Sequence, residues 1–416
     1  MIFKKNRGLD RFTKDILFVF SGATFANLCN LLYQLFIVRK FSPSEFAIFN
    51  TLISIITLFS TPAATLTQAV TRFVAKFNAH RQPEKICLLI AKFSKLTFIF
   101  GISLFLIFCI FNSAFMRLLK ISDSVSIFIM SGIILLLWII PVYSGSMQGL
   151  ERFGWFTALS ISNGILKLSF VIIFVLVGWG VAGALGAFLV SSLSAILIGF
   201  FSLKDYIFKK IRGRFIEFGE TIHYILPVAS TWFCFNTLVN LDMVLVKYYF
   251  SPVDAGYYSI AQMVGKIFLF LPGPISIVMF PKTAGLNAKQ QDTGLILRKS
   301  VLLGCILCIA AIAIYNLFPA FCLRLLTTKT INVSITLGRL FSISMSLYAL
   351  IFILFSYHLS IGDFRFLKSL ILFTLAQFMA IALFHRNLFI VQIVICINAL
   401  FLFLINLKLS FQEAIA

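Results

Sequence analysis

Long apolar runs follow one another along the whole chain, and short segments that carry most of the charges separate them. Each run holds about 20 residues, the length that a helix needs to cross a bilayer core roughly 30 Å thick. The runs are continuous and do not alternate between apolar and polar residues. They predict helices rather than barrel strands, because each helix satisfies its own backbone hydrogen bonds in lipid. The pattern therefore predicts an all-α polytopic membrane protein.

Twelve transmembrane spans are predicted from these runs. They are expected near residues 15–38, 45–70, 88–112, 127–148, 155–178, 181–201, 222–246, 256–280, 295–318, 333–357, 367–385 and 387–408. The segments between them are too short to form a soluble domain with its own core. Almost the whole chain is therefore expected to lie in the membrane.

A short repeat divides the spans into two sets of six. The segment Phe41-Ser42-Pro43-Ser44-Glu45 recurs as Phe250-Ser251-Pro252-Val253-Asp254, at an offset of 209 (250 minus 41) in a chain of 416 residues. Six spans per half bring both halves into the membrane from the same side. We therefore expect two six-helix lobes, residues 1–208 and 209–416, related by a parallel pseudo-repeat about an axis along the membrane normal.

The net charge of +21 invites a different interpretation, since basic chains commonly bind nucleic acid. The positions of the basic residues argue against a nucleic-acid partner. With the N-terminus inside, 24 of the 35 Lys and Arg lie on inner connections, eight, including Lys247, lie on outer ones, and three lie within spans. Under the positive-inside rule, this bias predicts that both termini are cytoplasmic. The inner segment Arg72–Lys95 has a second possible role, the binding of anionic lipid headgroups.

Three basic side chains lie inside predicted spans: Lys167 in the fifth, Lys266 in the eighth and Arg339 in the tenth. A charge at the centre of a span costs roughly 2.5–3.5 kcal/mol on insertion scales, so these side chains should face a protein interior or a wet cavity. A cleft that they line would be positive and would suit an anionic substrate. The alternative is interhelical pairing or snorkelling, which the position of Arg339 near the outer surface favours.

Uncharged polar residues form stripes along several spans. The further side chains that we expect to line a hydrated cleft are Asn27, Gln34, Gln68, Arg72, Asn236, Asn240 and Gln262. Amide and guanidinium groups are costly to leave without partners in lipid. The alternative is that the stripes only hold neighbouring helices together, as polar residues commonly do in membrane bundles.

Asp242 is the acidic residue that we place inside a span. It lies near the outer end of the seventh span and points about 200° away from Asn240 around the helix. Two roles stay open for it, pairing with a neighbouring helix and binding a coupling cation, H+ or Na+. No other cofactor is expected. The pair Cys305-x-x-Cys308 lacks companion ligands, so we interpret these cysteines as small core residues and expect no metal site.

Two segments carry a resemblance to a known family. They are Gln148-Gly149-Leu150-Glu151-Arg152-Phe153-Gly154 and, after Lys167, Gly178-Trp179-Gly180-Val181-Ala182-Gly183-Ala184. Here the chain resembles the polysaccharide transporter family, the O-antigen flippase-like branch of the multidrug/oligosaccharidyl-lipid/polysaccharide (MOP) flippase superfamily. The Phe-Ser-Pro-x-acidic turn after spans one and seven is similar to a turn of that family. The resemblance covers essentially the whole chain and implies a MATE-like, V-shaped pair of bundles whose helices one, two, seven and eight line the cleft.

The resemblance also implies a function. It implies a flippase that moves a lipid-linked, pyrophosphate-linked oligosaccharide from the cytoplasmic to the outer leaflet of a bacterial inner membrane by alternating access, for cell-surface polysaccharide biosynthesis. The implied partners are the lipid-linked oligosaccharide, membrane lipids and other polysaccharide-assembly proteins. Lys167 corresponds to a basic or polar position of the family, which makes it the first choice for the cleft.

Two rival functions are open. A lipid-dependent membrane glycosyltransferase or polymerase would need catalytic groups on outward connections, where Glu45, Asp123 and Asp254 are the acids. A MATE-like exporter of drugs or organic cations would favour acidic rather than basic residues in its cleft. We therefore expect a transporter that is not an enzyme, with no catalytic residue.

Overall fold

Helices make up nearly all of the part of the chain that the computed structural model describes, which is residues 3–121, 123–207, 209, 218–273, 275–276, 279–280, 283, 286, 290–327 and 332–413. They are α1 (Phe3–Lys40), α2 (Pro43–Ala79), α3 (Pro83–Ile110), α4 (Asn112–Leu119), α5 (Ser124–Gly149), α6 (Phe153–Leu176), α7 (Gly180–Ile207), α8 (Phe218–Tyr249), α9 (Pro252–Phe270), α10 (Gly294–Leu317), α11 (Pro319–Thr327), α12 (Asn332–Ile361), α13 (Phe366–Leu383) and α14 (Leu388–Glu413). The all-α prediction is confirmed.

Eleven of the described helices are long and apolar enough to cross a membrane. The short helices α4 and α11 are not among them, and neither is α9. Helix α9 falls in the predicted eighth span, 256–280, and carries Asp254, Gln262 and Lys266 within 19 residues. The second half of that span is described only in part.

Contacts divide the chain into two compact units. The first consists of Met1–Lys40 and Phe59–Ala229, and the second of Phe41–Leu58 and Ser230–Ala416. Helix α2 is therefore shared, because its first half packs with the second unit. The predicted lobes 1–208 and 209–416 stay a prediction.

In the first unit, α6 packs between α1 and α7, and α5 packs between α3 and α7. Small residues bring helix backbones together. A Cβ atom at Gly145 of α5 would lie 2.7 Å from the Thr67 carbonyl oxygen of α2, and one at Gly149 would lie 2.7 Å from Val74 Cβ. The spacing of four residues between the two glycines places both on one face of α5, as in other close helix pairs of membranes.

In the second unit, α12 is the central helix. It packs against α9, α10 and α14, and 78% of its most apolar stretch is buried. The first half of α2 belongs to this unit, and the first turn of α2 contacts α9. A Cβ atom at Gly256 of α9 would lie 2.4 Å from the carbonyl oxygen of Pro43, so only glycine allows this approach.

The two copies of the sequence repeat form the same local structure. Each one lies between the end of one helix and the start of the next, and its proline is in the first turn of the second helix. Ser42 Oγ accepts from the Glu45 backbone N–H at 3.3 Å and donates to the Glu45 carboxylate at 2.7 Å. Ser251 Oγ makes the same pair of bonds with Asp254, at 3.1 and 2.7 Å. Both segments are thus helix N-caps in which serine and acid satisfy each other and the first turn.

Candidate functional site

Lys266 lies within the second unit and joins α9 to α8. Its Nζ donates to Oδ1 of Asn240 at 3.1 Å. The amide nitrogen of Asn240 donates to the backbone carbonyl of Asn236, one turn earlier, at 3.0 Å. Asn240 is buried, whereas Lys266 and Asn236 are half-buried. Three predicted cleft residues are therefore brought together, and the ammonium, which has three N–H donors, donates one of them to Asn240.

Asp242 lies two residues after Asn240 on α8 and is only 1% exposed. Its carboxylate accepts from Tyr258 Oη at 2.8 Å and from Gln262 Nε2 at 2.9 Å. Lys266 lies near enough to attract this carboxylate electrostatically. Asp242 thus pairs with its neighbouring helix α9, which is one of the two roles that the sequence left open.

The contacts of Asp242 extend to three further helices. Gln262 Oε1 accepts from Asn50 Nδ2, on the first half of α2, at 2.9 Å. Tyr258 Oη also lies 3.1 Å from Gln392 Oε1 on α14, and Gln392 Nε2 donates to Ser344 Oγ on α12 at 2.7 Å. These side chains are all buried, which gives the single carboxylate a shell of neutral hydrogen-bonding groups.

Lys167 lies in the first unit, on α6, and its ammonium is held by three side chains from two neighbouring helices. It donates to Asn30 Oδ1 at 3.2 Å. It also lies over two aromatic rings, 3.9 Å from the centroid of Phe188 and 4.6 Å from that of Tyr33. Both distances are within the range of cation–π attraction. The side chain is half-buried, so Lys167 binds α1 and α7 together and still exposes part of its surface.

The remaining predicted residues lie at exposed positions. In the first unit these are Asn27 and Gln34 on α1 and Gln68 and Arg72 on α2. In the second unit Arg339 is exposed on α12, beside Tyr315 of α10. It stands apart from the Lys266 and Asp242 contacts among the residues that the structure describes. These five side chains, and the cleft role of the whole set, stay predictions.

Several residues of these contacts were missed from the sequence. Asn30 follows Asn27 by three residues and precedes Gln34 by four, so helical spacing was a usable signal for it. Tyr258 precedes Gln262 by four residues, and Asn50 precedes Ser54 by four, so the same signal was present for both. Gln392 gave no comparable signal, because it is a lone polar residue in an apolar run. Lys247, assigned to an outer connection, lies in α8 with its side chain fully buried.

Comparison with known proteins bears on this arrangement. A sequence model described as polysaccharide biosynthesis protein matches residues 12–286, more than half of the 416. The chain belongs to this family. The resemblance drawn from Gln148–Gly154 and Gly178–Ala184 is thereby confirmed. No curated protein matches the chain at a significant level.

Solved structures share the fold along almost the full length. A multidrug resistance MATE family transporter of the MOP superfamily, in an inward-facing conformation, is 16% identical with a TM-score of 0.77, covering 96% of this chain and 98% of its own. An outward-facing structure of a multidrug resistance MATE family transporter of the MOP superfamily is 15% identical with a TM-score of 0.66. The match covers 96% of this chain and 95% of the other. A MOP superfamily transporter from Pyrococcus furiosus, described by the reverse polarity of its binding pocket, is 15% identical with a TM-score of 0.63, covering 97% and 94%. Family and fold together support a transporter of the MOP superfamily.

Proposed function

We propose that this protein is a flippase for lipid-linked oligosaccharides. It accepts a pyrophosphate-linked oligosaccharide headgroup from the cytoplasmic leaflet, carries it by alternating access and releases it in the outer leaflet for cell-surface polysaccharide biosynthesis. The membrane is a bacterial inner membrane, both termini are cytoplasmic, and other polysaccharide-assembly proteins supply and consume the substrate. The family match and the long apolar helices support this proposal.

The observation that carries the proposal is the half-buried residue Lys266, whose ammonium donates to Asn240. A pyrophosphate and its sugars cannot cross hydrocarbon unaided, because charges and hydroxyls buried without partners cost several kcal/mol each. An ammonium held by one amide oxygen keeps donors for a phosphate oxygen, and charge-assisted bonds of this kind are the strong ones. The lipid tail stays in the bilayer while the headgroup exchanges water for these partners.

Asp242 supplies the coupling in this proposal. Lys266 and Asp242 lie on the same pair of helices and attract each other, so a cation that binds the carboxylate weakens that attraction and frees the ammonium for the headgroup. Either H+ or Na+ has the required charge. Asp242→Asn removes the charge and keeps an acceptor for Tyr258. We expect this variant to bind substrate and to lose its response to an imposed H+ or Na+ gradient.

The test of transport uses purified protein in vesicles, a fluorescent lipid-linked oligosaccharide and a membrane-impermeant quencher. Lys266→Ala should slow protein-dependent movement by at least tenfold. Lys299→Ala, which removes the same charge from an exposed position at the beginning of α10, should leave it unchanged. Equal rates for the two variants would overturn the role of Lys266.

The rival functions give different results in the same vesicles. A glycosyltransferase or polymerase would lengthen the sugar chain or release the lipid pyrophosphate, both of which are detected by mass spectrometry. An exporter of organic cations would move a cationic dye and leave the lipid-linked oligosaccharide in place.

A further inference from the structure

Trp232 lies on α8 with its indole fixed by two phenylalanines of α12. The indole centroid is 5.8 Å from the Phe352 ring and 5.6 Å from the Phe355 ring, both in edge-on geometry. Phe355 is buried and itself packs on Phe352 at 4.9 Å. Trp232 is only half-buried. The contacts therefore hold the ring in one orientation and leave part of its surface uncovered.

The same face of α8 carries polar groups at regular spacing. Trp232, Asn236 and Asn240 follow each other every four residues, which places them one above another on the helix. With a rise of 1.5 Å per residue, Asn240 lies about 12 Å beyond Trp232 along the axis, and Asn236 lies between them. An aromatic ring, an amide and the Asn240–Lys266 pair thus follow each other on one surface.

The amide nitrogen of Asn236 bonds to its own helix and leaves the amide oxygen available. Its Nδ2 donates to the Trp232 backbone carbonyl at 3.0 Å, as the Asn240 amide does to the carbonyl of Asn236. The Asn240 oxygen accepts from Lys266. Within the part of the chain that the structure describes, no donor reaches the Asn236 oxygen, so it is an acceptor without a protein partner.

We expect this surface to face neither lipid nor the membrane interface. Tryptophans in membrane proteins commonly lie at the headgroup level, where they anchor a helix. The seventh span is predicted to begin at residue 222, so Trp232 lies ten residues, about 15 Å, inside it. A face that also carries Asn236 and the ammonium of Lys266 is disfavoured against hydrocarbon.

We propose that Trp232 is a stacking platform for a sugar ring, with Asn236 as the acceptor for a sugar hydroxyl. The inference deepens the proposed function, on which it rests. The C–H face of a sugar ring fits an indole surface, and its hydroxyls are donors for an amide oxygen. Because the ammonium of Lys266 follows on the same surface, the sugar in contact is the one attached directly to the pyrophosphate.

Binding of two probe lipids to the full-length protein in nanodiscs tests the platform. One is a polyprenyl pyrophosphate that carries a single N-acetylglucosamine, and the other is the same lipid without the sugar. Trp232→Leu removes the ring and keeps apolar volume. It should weaken binding of the sugar-bearing lipid about tenfold, the loss expected for one aromatic contact, and leave the bare lipid unchanged. Lys266→Ala should weaken both.

Two controls separate stacking from a general loss of structure. Trp179→Leu alters an exposed tryptophan on the turn before α7 and should leave both affinities unchanged. Trp232→Phe keeps a ring against Phe352 and should retain most of the preference for the sugar, even if Trp232→Leu unfolds more easily. Equal losses for both lipids in the Trp232 variants, or no loss for either, would overturn the platform.

Failure of the proposed function would look different. In that case the wild-type protein would bind neither probe and move neither in vesicles. If the wild type moves the sugar-bearing lipid but binds both probes equally, the flippase proposal stands and the platform is refuted.

Discussion

Lys167 is held by Asn30, Tyr33 and Phe188, so its contribution to stability can be separated from any contact with substrate. Asn30→Ala should lower the free energy of unfolding by about 1–3 kcal/mol, because the ammonium loses its hydrogen-bond acceptor in a half-buried site. In a Lys167→Met background the same change should cost close to nothing. The wild type, the two single variants and the double variant form a double-mutant cycle. A denaturing-detergent titration measures the midpoint of unfolding of each.

Asn27 provides the matched control for this cycle. It lies one turn before Asn30 on α1 and is exposed. Asn27→Ala should therefore change the free energy of unfolding by less than about 0.5 kcal/mol in either background. Additive effects of Asn30→Ala and Lys167→Met would show that the hydrogen bond contributes nothing to stability.

Asp242 is fully enclosed, and the two groups that donate to it depend on its oxygens. Asp242→Ala leaves Tyr258 Oη and Gln262 Nε2 with fewer partners and should destabilise the protein by about 2–4 kcal/mol. Asp242→Asn keeps an acceptor and should cost less than half as much. The same titration measures both variants. Glu84→Gln, an exposed change of the same kind on α3, should have no effect, and equal losses for Ala and Asn would contradict the hydrogen-bonding account.

At the scale of the element, the two capped turns should contribute equally, since they are copies of one structure. Ser42→Ala and Ser251→Ala each remove the oxygen that accepts from the first turn of a helix. Each should cost about 1 kcal/mol, whereas Ser→Thr at the same positions should retain most of that. Unfolding midpoints check the values. Ser103 is exposed within α3, so Ser103→Ala should be neutral. A loss of similar size there would mean that the losses at Ser42 and Ser251 do not come from capping.

The approach of α9 to α2 depends on one missing side chain. A Cβ atom at Gly256 would lie 2.4 Å from the Pro43 carbonyl oxygen, so Gly256→Ala must move one backbone and should cost about 1–3 kcal/mol. Gly154→Ala is the matched control, because a Cβ atom there meets nothing within 4 Å. Since alanine favours helices, it should be neutral or slightly stabilising. A neutral Gly256→Ala would contradict the close contact.

At the scale of the whole molecule, the fold was predictable because the bilayer imposes it. Lengths of apolar runs give the helices directly, and one repeat indicated two equivalent segments. The structure shows these segments to be the helix caps at Ser42 and Ser251. The cations inside spans were also found, since a charge such as Lys266 stands out against an apolar background. What patterning could not give was the partner of each cation.

Partners depend on helix packing, which hydropathy does not encode. Phe188 and Tyr33 looked like two more aromatic residues in apolar runs, yet they hold the ammonium of Lys167. Asp242 was placed off the polar face of its helix. It nevertheless contacts Gln262, because α9 covers the side of α8 on which the carboxylate lies. Residues that matter as pairs therefore stay hidden until the helices are placed against each other.

The number of membrane crossings decides on which side of the membrane each connection lies. Within the residues that the structure describes, length and composition identify eleven helices as spans, and α9 is not one of them. With twelve crossings and the predicted cytoplasmic N-terminus, Lys299 is expected on the cytoplasmic side and Arg386 on the outer side. If residues 252–280 do not cross, both positions change sides, whereas Glu84 of α3 stays inside. The positive-inside bias favours the first arrangement, since it places most Lys and Arg in the cytoplasm.

Single cysteines at the exposed positions Glu84, Lys299 and Arg386 decide between the two arrangements. In right-side-out vesicles, a membrane-impermeant maleimide should label Arg386→Cys at once, and Glu84→Cys and Lys299→Cys only after permeabilisation. The eight native cysteines are buried or half-buried, so the unmodified chain supplies the background. Labelling of Lys299→Cys in intact vesicles would mean that α9 does not lead across the membrane. In that case Lys266 would not lie on a membrane-crossing helix and could not line a transport path.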